Sequence, residues 1–400
     1  MGEELKQTLM KELEFSNTVG VEGIRFDPEI FKESFEEDEN LKAMHLVFDG
    51  STDDTANVDV PSGLRLPHGI PLGIKKNSRA PYELRKFEDG IYVTDLFGNQ
   101  LSKTYIPKSP EFCKHQTSDG TLMKTILIPG GGKKYGEGHL TVDYSNECSL
   151  GEKGKDCRFC NINATKARFA EKECLKWKTP KQVAESVKKA YEEGYDNITV
   201  TGGYIPERRE MESYLDIAEH IQEELGVEDF NGTVTIGAPK DISIIERYKE
   251  AGYTTMAMNI EIFGEEFFQA ICPGKVEVCG DYNHWLEAID YAVQVFGKGK
   301  VRSSIVSGLQ PKKLLLEGIE MLAEKGVVTV VSNWNPGIGS QFEGHRTPYP
   351  EWHWDNQLKN YAILKRYGRT WKEIYDCSGA SCAYLIDRIQ DGSYPINLEP

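Results

Sequence analysis

From Gly138 onward, short runs rich in β-branched residues alternate with longer segments whose apolar positions recur at helical spacing. His139–Tyr144 (HLTVDY) predicts a strand. Thr179–Gly194 predicts a helix: Thr179 caps it, Pro180 suits its first turn, Gly194 closes it, and Val183, Val187, Ala190 and Tyr191 form its apolar stripe. Strands are then expected at Asn197–Thr201, Thr233–Gly237, Thr254–Phe263, Val301–Gly308 and Val327–Asn333. The helices expected between them are Glu210–Leu225, Asp241–Ala251, Tyr282–Phe296 and Lys312–Lys325. Helical crossovers between successive strands imply a parallel sheet, because parallel neighbours need a long connection. The fold class is therefore α/β, with six strand–helix units forming either a partial barrel or an open doubly wound sheet.

The flanks read differently. Residues 1–135 are rich in Gly and Pro, and Tyr82–Phe97 alternates around Asp89-Gly90 as a hairpin does, so a mostly β N-terminal domain is expected. The core spans 136–345. The extension 346–400 is rich in Trp and Tyr, turns helical near Leu358–Arg366, and carries Cys377 and Cys382.

At 400 residues and a net charge of −16, the chain can bury a full core, and its charge argues against nucleic acid as a partner. The acidic segments EELKQTLMKELE and ESFEEDE read as solvated surface. No apolar run approaches the roughly 20 residues of a membrane span, and the polar start does not resemble a secretory signal. Lys6 stands where a myristoylation signal following Gly2 wants Ser or Thr. A cytoplasmic location with no membrane partner is expected.

Nine cysteines are present, and Cys148, Cys157 and Cys160 crowd one segment directly after the first core strand. In a cytoplasmic chain such clustering reads as metal or redox chemistry before disulfide. Parallel αβ folds gather their ligand sites at the carboxyl ends of the strands, where this segment falls. Thiolates hold iron–sulfur clusters or zinc. Three can hold three irons of a cubane and leave the fourth free to chelate an amine and a carboxylate. The alternatives are a structural zinc site completed by Cys174 or His139, or unliganded thiols.

On these residues the sequence resembles the radical SAM superfamily, whose usual motif is CxxxCxxC after the first strand of a partial (β/α)6 barrel. Phe159 stands where the family has an aromatic before its last cysteine. Thr201-Gly202-Gly203-Tyr204 stands where the family's second strand ends in Gly-Gly-Glu, whose backbone binds the methionine amino group of S-adenosylmethionine (SAM). Asn259 and Glu261, two apart on one strand face, match the fourth-strand residues offered to the ribose. Ser304–Gly308, with Gly308 at its end, resembles the fifth-strand stretch near adenine, and Asn333–Gly337 the sixth-strand segment near the cofactor. ICPGK, GDYNHW and VRSSIVSGL are similar to the biotin-synthase-like branch.

The resemblance implies a [4Fe–4S] cluster and SAM as cofactors and an oxygen-sensitive enzyme. It implies a 5′-deoxyadenosyl radical that takes hydrogen from a small-molecule substrate, and an electron donor such as flavodoxin or ferredoxin. Methyl or sulfur transfer would begin with the same machinery, and a zinc-stabilised scaffold is the reading from a different class. Two departures stand out: the first cysteine gap is eight residues, not three, so Gly151 and Gly154 must let the loop arch outward, and Tyr204 replaces the usual Glu.

Other candidates are weaker. Arg302 either faces inward toward a carboxylate or makes an outward salt bridge. His345 and Arg346 are possible substrate contacts. Gly130-Gly131-Gly132-Lys133 lacks the frame of a phosphate loop and reads as a plain loop. Cys377 and Cys382 are candidates to join Cys272 or Cys279 in a second cluster, although buried free thiols are the plainer reading.

Overall fold

The helix after the cysteine segment shows how locally the core is specified. Thr179 and Gln182 form a capping box, and Pro180–Glu192 follows, with Val183, Val187 and Ala190 buried. The computed structural model describes residues 1–41, 43–45, 59–145, 147–164 and 177–396.

Six parallel strands form the main sheet: β1 His139–Ser145, β2 Asn197–Gly202, β3 Phe230–Thr235, β4 Tyr253–Ala257, β5 Val301–Ser307 and β6 Val328–Asn333. They lie side by side in chain order, with Ile128–Pro129 added antiparallel beyond β1. Each crossover advances the sheet in the same direction, so the order never reverses. A doubly wound sheet requires such a reversal. The winding is that of a partial barrel, and the helices Glu207–Leu225, Tyr282–Phe296 and Lys312–Lys325 occupy the expected crossovers. No helix among the described residues is long and apolar enough to cross a membrane.

The amino ends of the strands are sealed. The Asp376 carbonyl, near the end of helix Trp371–Ser378, accepts from Asn197 Nδ2 at 3.1 Å, Thr233 Oγ1 at 3.2 Å and Thr255 Oγ1 at 3.4 Å. Lys300 Nζ lies 3.1 Å from Asp376 Oδ2, and Cys377 Sγ donates to Gly299 O at 3.2 Å. The C-terminal extension thus plugs the barrel from below.

The N-terminal region departs from a mostly β reading. It opens with a 20-residue helix, Glu3–Glu22, whose Leu9, Leu13, Val19 and Val21 are buried. The segment expected as solvated surface is therefore amphipathic, its acidic residues disguising an apolar stripe. A three-stranded antiparallel sheet follows, Tyr82–Phe87, Gly90–Asp95 and Gln100–Thr104, and it contains the expected hairpin. This region hydrogen-bonds to both margins of the barrel. Asn17 Oδ1 accepts from Asn333 Nδ2 at 2.8 Å, and Lys75 Nζ donates to Asn335 Oδ1 at 2.6 Å, both at the end of β6. Arg65 forms a buried bidentate pair with Glu137, just before β1.

Candidate functional site

At the carboxyl end of β1 the chain enters the cysteine segment. The eight residues between Cys148 and Cys157 are accommodated by a short 3-10 helix, Ser149–Lys153, which Gly154 ends in the left-handed region at φ 66°. Asn163 then staples the loop. Its Nδ2 donates to Cys148 O at 2.9 Å and to Asp156 Oδ1 at 2.5 Å, while its Oδ1 accepts from Cys148 N at 3.2 Å. Gly151 serves by its lack of a side chain, not by an unusual angle: a Cβ there would meet Asn163 Nδ2 at 2.1 Å. The long gap is thus closed by one amide side chain three residues past Cys160, an interaction that loop length alone did not reveal.

The Gly202-Gly203 pair holds this loop against β2. A Cβ on Gly203 would fall 2.2 Å from Glu147 O and 2.9 Å from Cys148 Cβ. Gly203 N donates to Ser145 O at 3.3 Å, and Tyr204 O accepts from Ser149 N at 2.7 Å. Tyr204, in the place of the expected Glu, lies against Gly237 and Cys279: a Cβ on Gly237 would sit 3.1 Å from the Tyr204 ring and 3.2 Å from Cys279 Sγ.

Cys157 is buried and Cys148 and Cys160 are half-buried; Phe159 packs at the core margin. Burial pushes the Cys148 thiol up and the Cys160 thiol up to about 12, and both are raised further by the neighbouring cysteine charges. Among the described residues no group of three or more His, Cys, Asp or Glu converges to hold one metal ion. A cubane does not ask for that, because its thiolates bind different irons. The donor chemistry and the close approach allowed by Gly203 therefore fit a cluster, and binding would draw the protons off these thiols. Cys174, the candidate fourth zinc ligand, lies outside the described residues. His139 is half-buried at the start of β1, and desolvation lowers its pKa.

The fourth strand is shorter than its sequence predicts. β4 stops at Ala257, and Glu261 takes φ 66°, the one positive-φ residue other than glycine among those described. Asn259 and Glu261 consequently do not share the face of a continuous strand. Asn259 Oδ1 accepts from Ser304 N at 3.0 Å. Lys275 Nζ donates to Glu261 Oε1 at 3.1 Å and to Asn259 O at 2.6 Å. Lys275 stands 4.7 Å over the Trp285 ring. Burial would lower its pKa, but Glu261, Cys157 and Cys272 hold it above the ordinary value. This half-buried lysine was missed in the sequence, although ICPGK had marked its segment.

Among the described residues Arg302 has no ion pair to a covering helix. Its Nη2 reaches Thr235 Oγ1 at 3.5 Å, its Nε is buried without a partner, and burial lowers its pKa. Gly308 has φ 116° and lies close to Pro348 and His353. His345 and Arg346 are exposed, Arg346 lying 4.9 Å over the Tyr349 ring. The glycine run wraps Glu137, Gly131 N donating to its Oε2 at 3.0 Å. Cys377 lies at the sealed amino end, whereas Cys272 and Cys279 lie beside the cysteine loop, so the structure does not gather them into a second cluster.

Residues 144–334 match the model of the radical SAM superfamily. A curated relative, bacteriochlorophyllide c C-7(1)-hydroxylase of Chlorobaculum limnaeum, is 30% identical over 227 residues, 53% of this chain and 56% of that protein. The chain thus spans little more than half of that relative's length. Among solved structures, methylornithine synthase covers 71% of this chain and 79% of its own at 15% identity and a TM-score of 0.45. The FeFe-hydrogenase maturase HydG of Carboxydothermus hydrogenoformans covers 61% and 57% at 19% identity and the same score. Both structural likenesses are too distant to bear on function.

Proposed function

We propose that this chain, which belongs to the radical SAM superfamily through residues 144–334, generates a radical from SAM and uses it to take hydrogen from a small-molecule substrate in a biosynthetic pathway. The observation that carries this reading is the loop holding Cys148, Cys157 and Cys160 as neighbours at the carboxyl end of β1. When bound there, a [4Fe–4S] cluster with SAM supplies the 5′-deoxyadenosyl radical by reductive cleavage.

The chain's own residues provide the setting. Cys148, Cys157 and Cys160 are the cluster ligands, and Asn163 fixes their loop. Phe159 flanks the last of them. Gly202 and Gly203 keep the second strand close to the loop, leaving backbone, not side chains, along this edge. The unpartnered Nε of Arg302 suits an anionic group such as a carboxylate. Asn259, Glu261 and Gly308 complete the SAM-facing set, with Lys275 orienting Glu261. Closure of the barrel from below keeps water from entering opposite the site. On this reading the enzyme works in the cytoplasm and takes electrons from a flavodoxin or ferredoxin type of carrier.

The test is anaerobic purification followed by incubation with SAM and dithionite, scored for 5′-deoxyadenosine. About four irons and four sulfides per chain, both lost in Cys157→Ala, together with 5′-deoxyadenosine, support the reading. One tight zinc, or a full cluster with no 5′-deoxyadenosine, overturns it.

A further inference from the structure

A second cysteine meets the cluster loop from across the barrel edge. Arg158 N donates to Ile271 O at 2.9 Å, and Gly274 N donates to Lys155 O at 3.1 Å. These two bonds tie the cysteine loop to the junction of two short helices, and both Cys157 and Cys272 fall between them. The approach is close because Gly274 lacks a side chain: a Cβ there would meet Lys155 O at 2.4 Å and Leu150 Cβ at 3.0 Å. Cys272 is the first influence on the Cys157 thiol, which it holds well above its ordinary value, and both thiols are free. Cys272 is 0% exposed and Cys157 9%, so both sit inside the protein, Cys157 the nearer to its surface. The ammonium of Lys275 stands beside both.

We propose that Cys157 and Cys272 are a redox pair: in the cluster-free chain a small disulfide oxidant joins them, and the bond removes one ligand from the cluster site. The last clause rests on Cys157 being a cluster ligand; the pairing itself does not. The Cys157 thiolate attacks a sulfur of the oxidant, forming a mixed disulfide and expelling one thiolate. Cys272 then attacks the Cys157 sulfur of that mixed disulfide, forming the internal bond and expelling the second. Two thiol protons are released or carried by the two departing thiolates, and two electrons pass to the oxidant, which ends as two thiols. A dithiol reductant reverses both steps. The pair would keep Cys157 from irreversible oxidation while no cluster protects it.

The experiment uses the full chain stripped of iron by a chelator under nitrogen and incubated with oxidised glutathione. Free thiols are then alkylated, and the protein is digested and mapped without reduction. The expected product is a Cys157–Cys272 peptide pair about two mass units lighter than the two thiol peptides together. Iron and sulfide uptake should fall to a minor fraction of the untreated value and return after dithiothreitol. Cys272→Ala, checked for its fold by circular dichroism, should lack the cross-link and carry glutathione on Cys157 instead, its iron uptake returning only after dithiothreitol. Bonding of Cys157 chiefly to Cys148 or Cys160, or alkylation of both Cys157 and Cys272 after oxidation, overturns the proposal. The map from the unsubstituted chain decides this even if the variant does not fold. If the fully reduced chain takes up no iron, the cluster reading fails, while the cross-link map still decides the pairing.

Discussion

The two ends of the barrel are built on opposite principles. At the amino ends, backbone and side-chain groups satisfy one another across distant segments: one carbonyl of Asp376 receives donors from β2, β3 and β4, and Arg65 is buried against Glu137. At the carboxyl ends the regular pairing gives out. β4 stops early, Glu261 adopts a left-handed backbone, and the thiols of the cysteine loop meet a half-buried lysine and a buried glutamate carried on neighbouring helices. One end is specified for stability, the other for chemistry. Strain and unusual protonation gather where a site must hold something other than protein.

Substitutions at the two ends should separate these roles. The largest effect is expected from Cys160→Ala, which should abolish cluster uptake on anaerobic reconstitution, read by iron and sulfide assay, while leaving the circular dichroism spectrum intact. A cluster retained at full occupancy would break the contrast. At the sealed end, Glu137→Ala leaves Arg65 buried and unpaired and should cost about 3–5 kcal/mol in denaturant unfolding. Iron uptake per folded chain should not change.

Glu210, on helix Glu207–Leu225 beside Tyr204 and Cys279, is pushed up to about 8 by burial. The folded chain therefore keeps a proton that the unfolded chain releases near pH 4.5. Stability contributed by this group is intact below that pH and is lost as pH rises toward 8. The loss should be about 4 kcal/mol between pH 5 and 9, and Glu210→Gln should flatten it by that amount in unfolding titrations. The smallest change is expected from Cys377→Ser, whose hydroxyl still reaches Gly299 O: about 1 kcal/mol, with iron content unchanged. A fall in iron there would return Cys377 to the chemistry.

What the sequence could reveal follows the same division. The crossover helices were legible because capping and apolar spacing act within a dozen residues; Thr179, Gln182 and Val183 specify their helix without outside help. Tyr282–Phe296 and Lys312–Lys325 fall where their patterns place them. The cysteine segment was visible as spacing. Its staple was not, since Asn163 in the run CNIN looks like any polar loop residue until the loop is closed. β4 was read too long because Met258, Ile260 and Ile262 are buried as strand residues would be, and burial masks the turn at Glu261. The facing of Cys157 and Cys272 depends on two backbone bonds between segments more than a hundred residues apart, which no local pattern encodes. The opening helix was misread for the opposite reason: its charges outnumber the leucines that dock it.

The first helix also carries a consequence for biosynthesis. Lys6 Nζ donates to Gln390 O at 2.6 Å across 384 residues, and Asn17 finds Asn333 across 316. This helix thus waits for partners made more than three hundred residues later, with Leu9 and Leu13 uncovered meanwhile. Closing so long a loop late slows maturation and leaves a nascent apolar stripe for chaperones to shield.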